Sequence, residues 1–116
     1  MYDDCLSGSW LSERLGIDAS RVDRMRRGGE LIGVRPQGST AWVYPAWQFH
    51  NGKPYPVVPR IVAAAAEAGL DETRLYEVLT LRMGALGAGQ KRLADLLAEG
   101  GGDQVVATVR ASHPVP

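Results

Sequence analysis

Trp10-Leu11-Ser12-Glu13-Arg14-Leu15-Gly16-Ile17-Asp18-Ala19-Ser20-Arg21-Val22-Asp23-Arg24-Met25-Arg26-Arg27-Gly28-Gly29 is the stretch that decides the fold. Leu11 and Leu15, four residues apart, share one face of a short helix over 10–15 that Ser9 can cap. Gly16 then ends that helix, because glycine enters the left-handed C-terminal conformation without steric cost. Asp18 has the chemistry of an N-cap for a second helix over 19–27, which Gly28-Gly29 stops. At about 100° per residue, Val22 and Met25 of that helix turn inward, toward Leu11, Leu15 and Ile17. Two short helices, a small residue at the turn and apolar residues at the crossing make a helix-turn-helix.

The opposite face of the second helix carries Ser20, Arg24 and Arg27, with Arg21 and Asp23 on its flanks. Such a face suits the DNA major groove: arginine bonds guanine bidentately and serine reaches a base or a phosphate. We expect Ser20, Arg21 and Arg24 on bases, and Arg14, Arg26, Arg27 and Arg35 on phosphates. Arg26 lies nearer the apolar side, so its long stem snorkels outward to a phosphate or an acidic neighbour. Four to five phosphate contacts predict a slope of log affinity against log salt near about −4. The competing reading is a solvated arginine face with no ligand.

Two β-prone runs follow, at 31–34 and 41–44, separated by the turn-forming Arg35-Pro36-Gln37-Gly38-Ser39-Thr40. This hairpin is the expected wing. Arg35 would lie on the backbone or in the minor groove, and Gln37, Ser39 and Thr40 would donate hydrogen bonds to phosphate.

Charge agrees with a local interface. The chain is neutral overall, with 13 basic and 13 acidic residues in 116. From Ser9 to Tyr44, however, six arginines face four acids, and four of the six fall between Arg21 and Arg27. Hydrophobic residues make up 45%, enough for a packed core. The longest apolar run, over 61–66, is far short of the roughly 20 residues a membrane span needs. Asp3 and Asp4 stand where a secretory leader would carry Lys or Arg, which points to the cytoplasm and, with DNA binding, to the nucleoid.

Beyond the wing the composition changes. Pro45, Pro54, Pro56 and Pro59 punctuate a stretch holding Trp47, Phe49 and Tyr55, with a turn at His50-Asn51-Gly52-Lys53. Large apolar groups make this an ordered connector rather than a floppy linker. Helical patterns resume at 57–68, at 72–82 behind Asp71, at 90–99 with Leu93, Leu96 and Leu97 on one face, and at 103–111 with Val105, Val106 and Val109. A Gly-broken loop over 84–89 and a frayed tail over 113–116 complete the chain. The expected organisation is a winged helix-turn-helix over 1–44, a connector over 45–56 packed on both parts, and a helical partner-binding or dimerisation region over 57–112. Since 44 residues hold little core alone, the parts should melt as one unit.

The segment from Trp10 through Gly16-Ile17-Asp18 to Gly28-Gly29-Glu30-Leu31 resembles the opening of MerR-type and excisionase-type winged helix-turn-helix proteins. Tyr44-Pro45-Ala46-Trp47-Gln48-Phe49, then Asn51-Gly52-Lys53, is similar to small actinobacterial winged-helix DNA-binding proteins. From Val57 through Leu79-Thr80, Leu86-Gly87 and Ala94-Asp95-Leu96-Leu97 to Gln104-Val105-Val106 the chain resembles the toxin-binding region of Xre/ParS-type antitoxins, although Arg82-Met83-Gly84-Ala85-Leu86 replaces their Asn-Pro-x-Leu stretch. These resemblances imply a mainly α fold with a small β-hairpin wing, followed by a small helical bundle. They imply double-stranded DNA as partner, with a homodimer or a second protein held by the last helices.

Other chemistry finds little support. His50, His113 and Cys5 are scattered, so neither a metal site nor a Cys/His nucleophile pair is expected. Asp71, Glu72 and Glu77 read as a cap and a solvated face. Gly84-Ala85-Leu86-Gly87-Ala88-Gly89 lacks the Lys-Ser/Thr ending of a phosphate loop. Trp42, Trp47, Phe49 and Tyr55 read either as a platform for single-stranded nucleic acid or as the small core joining wing to helices. The expectation is a DNA-binding transcriptional regulator without cofactor or enzymatic activity. The alternative is an antitoxin-like module that neutralises a toxin through its C-terminal helices.

Overall fold

In the computed structural model, which describes residues 4–81 and 92–112, the first helix begins earlier than its capping pattern suggests. Helix α1 runs Gly8–Leu15, and its N-cap is Ser7, not Ser9: the Ser7 hydroxyl accepts from the Trp10 amide at 3.1 Å. Both serines carry the right chemistry, and their hydroxyls lie 3.4 Å apart. What selects Ser7 is the strand β1, Cys5–Ser7, which holds the preceding backbone extended. Gly16 takes φ 70° as expected, and Asp18 caps α2, Ala19–Arg27, by accepting from the Arg21 amide at 2.9 Å. Ile17 closes the turn by donating its amide to Ser12 at 3.1 Å and accepting from the Ser12 hydroxyl.

The expected hairpin over 31–44 is reduced to its base. Val34 and Val43 exchange two backbone bonds of 2.9 Å, but 31–34 forms no strand. Strand β2, Val43–Pro45, pairs antiparallel with β1 instead, in the register Cys5–Pro45, Leu6–Tyr44 and Ser7–Val43. The physical reason lies in burial. Leu31, Ile32 and Val34 are all buried, so the segment is sunk between other elements rather than laid against one strand. The peptide groups of Ile32 are satisfied by a side chain: the Gln48 amide accepts from Ile32 N at 2.7 Å and donates to Ile32 O at 2.8 Å. With its polar groups so occupied, Ile32 has no need of a ladder partner.

After a 3₁₀ turn at Ala46–Gln48, strands β3 (Phe49–His50) and β4 (Lys53–Pro54) pair across Asn51-Gly52, within the turn expected at 50–53. Helix α3, Val58–Ala68, ends at Gly69. Asp71 caps α4, Glu72–Thr80, which stops at Leu81 among the described residues. Where a helix over 90–99 is expected, the described part forms a 3₁₀ helix, Leu93–Leu97, with Leu93, Ala94 and Leu97 buried. Helix α5, Gly102–Ala111, buries Val105, Val106 and Val109 and packs against α3. The expected loop over 84–89 and tail over 113–116 lie outside the described residues.

Two hydrophobic clusters result. The smaller joins Leu11, Val22, Leu31 and Tyr44, with Phe49 and Trp42 against it. The larger is built by α3, α4, α5 and the 3₁₀ helix, and it also takes in Ile32 and contacts from Trp47 and Tyr55. Leu31 and Ile32, adjacent in sequence, thus enter different clusters. The fold is mainly helical with small antiparallel strand pairs and a short wing. Among the described residues no helix is long and apolar enough to cross a membrane.

Candidate nucleic-acid interface

Burial of Val22 sets the rotation of α2, and the opposite face is open to solvent. Ser20, Arg21, Arg24 and Arg27 are all exposed, as the 3.6-residue period requires. Arg21 and Arg24 form no ion pair among the described residues. Ser20 donates its hydroxyl to the Asp18 carboxylate at 2.9 Å. That bond, with the Arg21 amide, holds the Asp18 carboxyl below the usual carboxylate range and keeps the α2 cap ionised. Arg27 pairs with Asp23 through Nε at 2.9 Å, yet its side chain is 64% exposed, so a phosphate can compete for it. Arg14 closes α1 beside Trp10, its guanidinium 5.5 Å from the ring centre. Trp10 itself is 45% exposed.

Arg26 lies toward the apolar side, as its helical position predicts. Its side chain is only 16% exposed. The guanidinium pairs with Asp23 and lies 3.9 Å from the centre of the Trp42 ring. Its hydrogen bond, followed by the charges of Arg26 and Arg27, holds the Asp23 carboxyl below its ordinary range. Burial pushes the Tyr44 phenol up, and the neighbouring Arg26 opposes that push. Of the two ends expected from sequence, a phosphate or an acidic neighbour, the snorkelling stem meets the acid, Asp23, and the Trp42 ring in addition.

Residues 35–41 project as an exposed loop, with Arg35, Gln37, Ser39 and Thr40 all in solvent. Internal bonds shape it: Ser39 N to Pro36 O at 3.0 Å, and Ala41 N to the Ser39 hydroxyl at 3.0 Å. The Arg35 guanidinium sits 5.3 Å from the Trp42 ring centre. Trp42 therefore brings the loop arginine beside α2. The β-prone run at 41–44 puts Trp42 in a strand and gives no sign of this role. Gln48 was missed likewise, since no local pattern marks a buried glutamine.

The other sequence-marked groups stay apart from this face. Among the described residues no cluster of three or more His, Cys, Asp or Glu could hold a metal. Asp4 accepts from Trp47 Nε1 at 2.7 Å, the Tyr76 hydroxyl at 2.5 Å and an Arg92 guanidinium nitrogen at 3.1 Å. Trp47 is thereby committed to the core side, and His50 stacks on Tyr55 with ring centres 5.7 Å apart.

Comparison with known proteins adds a fold. The NMR structure of Rv2175c superposes with a TM-score of 0.74 over 92% of this chain and 79% of that one, at 24% identity. The two chains share a fold. No family model matches the sequence, and no curated protein matches it.

Proposed function

We propose that the chain is a sequence-specific double-stranded DNA-binding protein, a transcriptional regulator of the cytoplasmic nucleoid, with α2 as recognition helix. One observation carries the reading: Arg21 and Arg24, which form no ion pair among the described residues, stand on the exposed face of the second helix of a helix-turn-helix, with the loop arginine Arg35 beside the same helix. Arg21, Arg24 and Ser20 reach bases, while Arg14, Arg27 and Arg35 lie on phosphates. Gln37, Ser39 and Thr40 add hydrogen bonds to the backbone. With Arg26 occupied by Asp23 and Trp42, the expected salt slope falls from about −4 to about −3.

The test is titration of fluorescent duplexes from the gene's own upstream region at two salt concentrations. Wild type should prefer some fragments, and Arg21→Ala/Arg24→Ala should abolish the preference. Equal, weak binding of every fragment by both proteins would end the regulator reading.

A protein partner for 57–112, whether a second copy or a toxin-like protein, is the second reading. Leu81 favours it, since this large apolar side chain is 66% exposed at the end of α4. If duplex binding is absent and a second protein co-purifies with wild type but not with Leu81→Ser, this reading replaces the first.

A further inference from the structure

We propose that Trp42 and Arg26 are positioning residues that set the wing loop against the recognition helix, so that Arg35 reaches phosphate only while Trp42 is in place. The proposal rests on the DNA-binding reading above. It assigns Arg26 to the protein's own joint instead of to DNA.

Among the described residues no hydrogen bond or ion pair ties residues 35–41 to the body of the protein. On its inner side an open cleft of about 880 Å³ separates residues 35–40 from Glu72 and Thr73 at the start of α4. A second cavity of about 410 Å³ is lined by Trp42 and Arg26 together with Arg27, Val62, Leu70 and Leu75. At its base the loop is closed by the Val34–Val43 pair, which fixes where it starts but not where it points. Direction comes from Trp42. Its ring lies 3.9 Å from the Arg26 guanidinium and 5.3 Å from that of Arg35, close enough for cation–π attraction to both.

Arg26 is built into this joint. Its ion pair with Asp23 ties the guanidinium to α2 itself. Its Nε is buried with no hydrogen-bond partner among the described residues, and the centre of the Trp42 ring lies 3.9 Å from the guanidinium carbon. The stem crosses Gly33 so closely that a Cβ there would stand 2.9 Å from Arg26 Cδ and 3.2 Å from Tyr44 Cε1. A side chain at residue 33 would force the arginine stem to shift from its path to the ring. The chain Asp23, Arg26, Trp42, Arg35 thus runs from the recognition helix to the loop.

Two measurements test this. In the free protein, the Nε–Hε resonances of Arg26 and Arg35 should show ring-current shifts that vanish in Trp42→Leu and persist in Trp42→Phe. On duplex DNA, Arg35→Ala and Trp42→Leu should each weaken binding about fivefold at 0.15 M salt and lower the salt slope by about 0.9, the signature of one lost phosphate contact. The double variant should be no weaker than either single one, and Trp42→Phe should restore most of the affinity. Circular dichroism confirms folding, and Trp42→Phe keeps the test alive if Trp42→Leu does not fold. Absent ring-current shifts, or additive losses in the double variant, would overturn the proposal while leaving DNA binding intact. So would an effect of Arg21→Ala/Arg24→Ala on binding with none from Arg35→Ala. If all these variants bind as wild type does, the DNA reading and the joint's role fall together.

Discussion

Gln48 shows how much one buried polar side chain can decide. It is fully buried, and its amide makes bonds of 2.7 and 2.8 Å to both peptide groups of Ile32 and one of 3.1 Å to Pro45 O. Gln48→Leu keeps the volume but strands these backbone groups, so we expect a loss of about 2–4 kcal/mol, read from the urea midpoint. Gln48→Glu should cost more, because a carboxylate would face two carbonyl oxygens. Cys5 offers a second residue-scale prediction. Burial, and then the charge of Asp4, push its thiol up to about 12, so at pH 8 the native protein holds almost no thiolate. Labelling with a disulfide reagent should be slow in buffer and fast in urea; equally fast labelling in both would contradict the burial.

At the scale of elements, the helix-turn-helix is held by short-range devices. Gly16 has φ 70° with open space where a Cβ would stand, so Gly16→Ala meets backbone strain alone. That strain should cost about 1–2 kcal/mol, and Gly16→Asn less, both measurable by thermal melting. These devices act within a few residues, which is why both helices were legible in the sequence. The wing was not. The β-prone run at 31–34 suggested a strand, but burial of Leu31, Ile32 and Val34 reflects a segment sunk between two clusters. The strand that actually pairs with β2, Cys5–Ser7, is three residues long and carries no alternation to read.

Across the whole molecule, Asp4 ties the N-terminal strand to the helical region. Burial raises its pKa, but hydrogen bonds from Tyr76 and Trp47, then Arg92, outweigh burial and hold the carboxyl below its ordinary value. A carboxyl depressed on folding stabilises fully above its unfolded pKa of about 3.9, and that contribution fades as pH falls through the lower folded value. Asp4→Asn should therefore lower the melting midpoint at pH 7, and the difference from wild type should shrink as the pH is brought from 7 toward 2. A mutational effect unchanged across that range would show that the charge is not what matters. Wild type should melt in one transition, since Leu31 enters one cluster and its neighbour Ile32 the other, and Phe49 and Trp47 divide in the same way. Two separated transitions would contradict that shared core.

Periodicity and capping along the chain were enough to determine the two N-terminal helices, the inward Val22 and the exposed Ser20–Arg21–Arg24–Arg27 face. They also placed α3, α4 and α5 to within a few residues. Each of these rests on interactions between residues less than about two helical turns apart, which a linear reading captures. Tertiary structure decided the rest. Gln48 reaches Ile32 across 16 positions, Trp47 reaches Asp4 across 43, Tyr76 across 72 and Arg92 across 88. The fate of Arg26 belongs here too: sequence put it at the edge of an apolar face, but only folding could bring Trp42 to meet it. Local patterns fix which way a side chain points along its own helix; what it meets there depends on chain segments that come together only in the folded molecule.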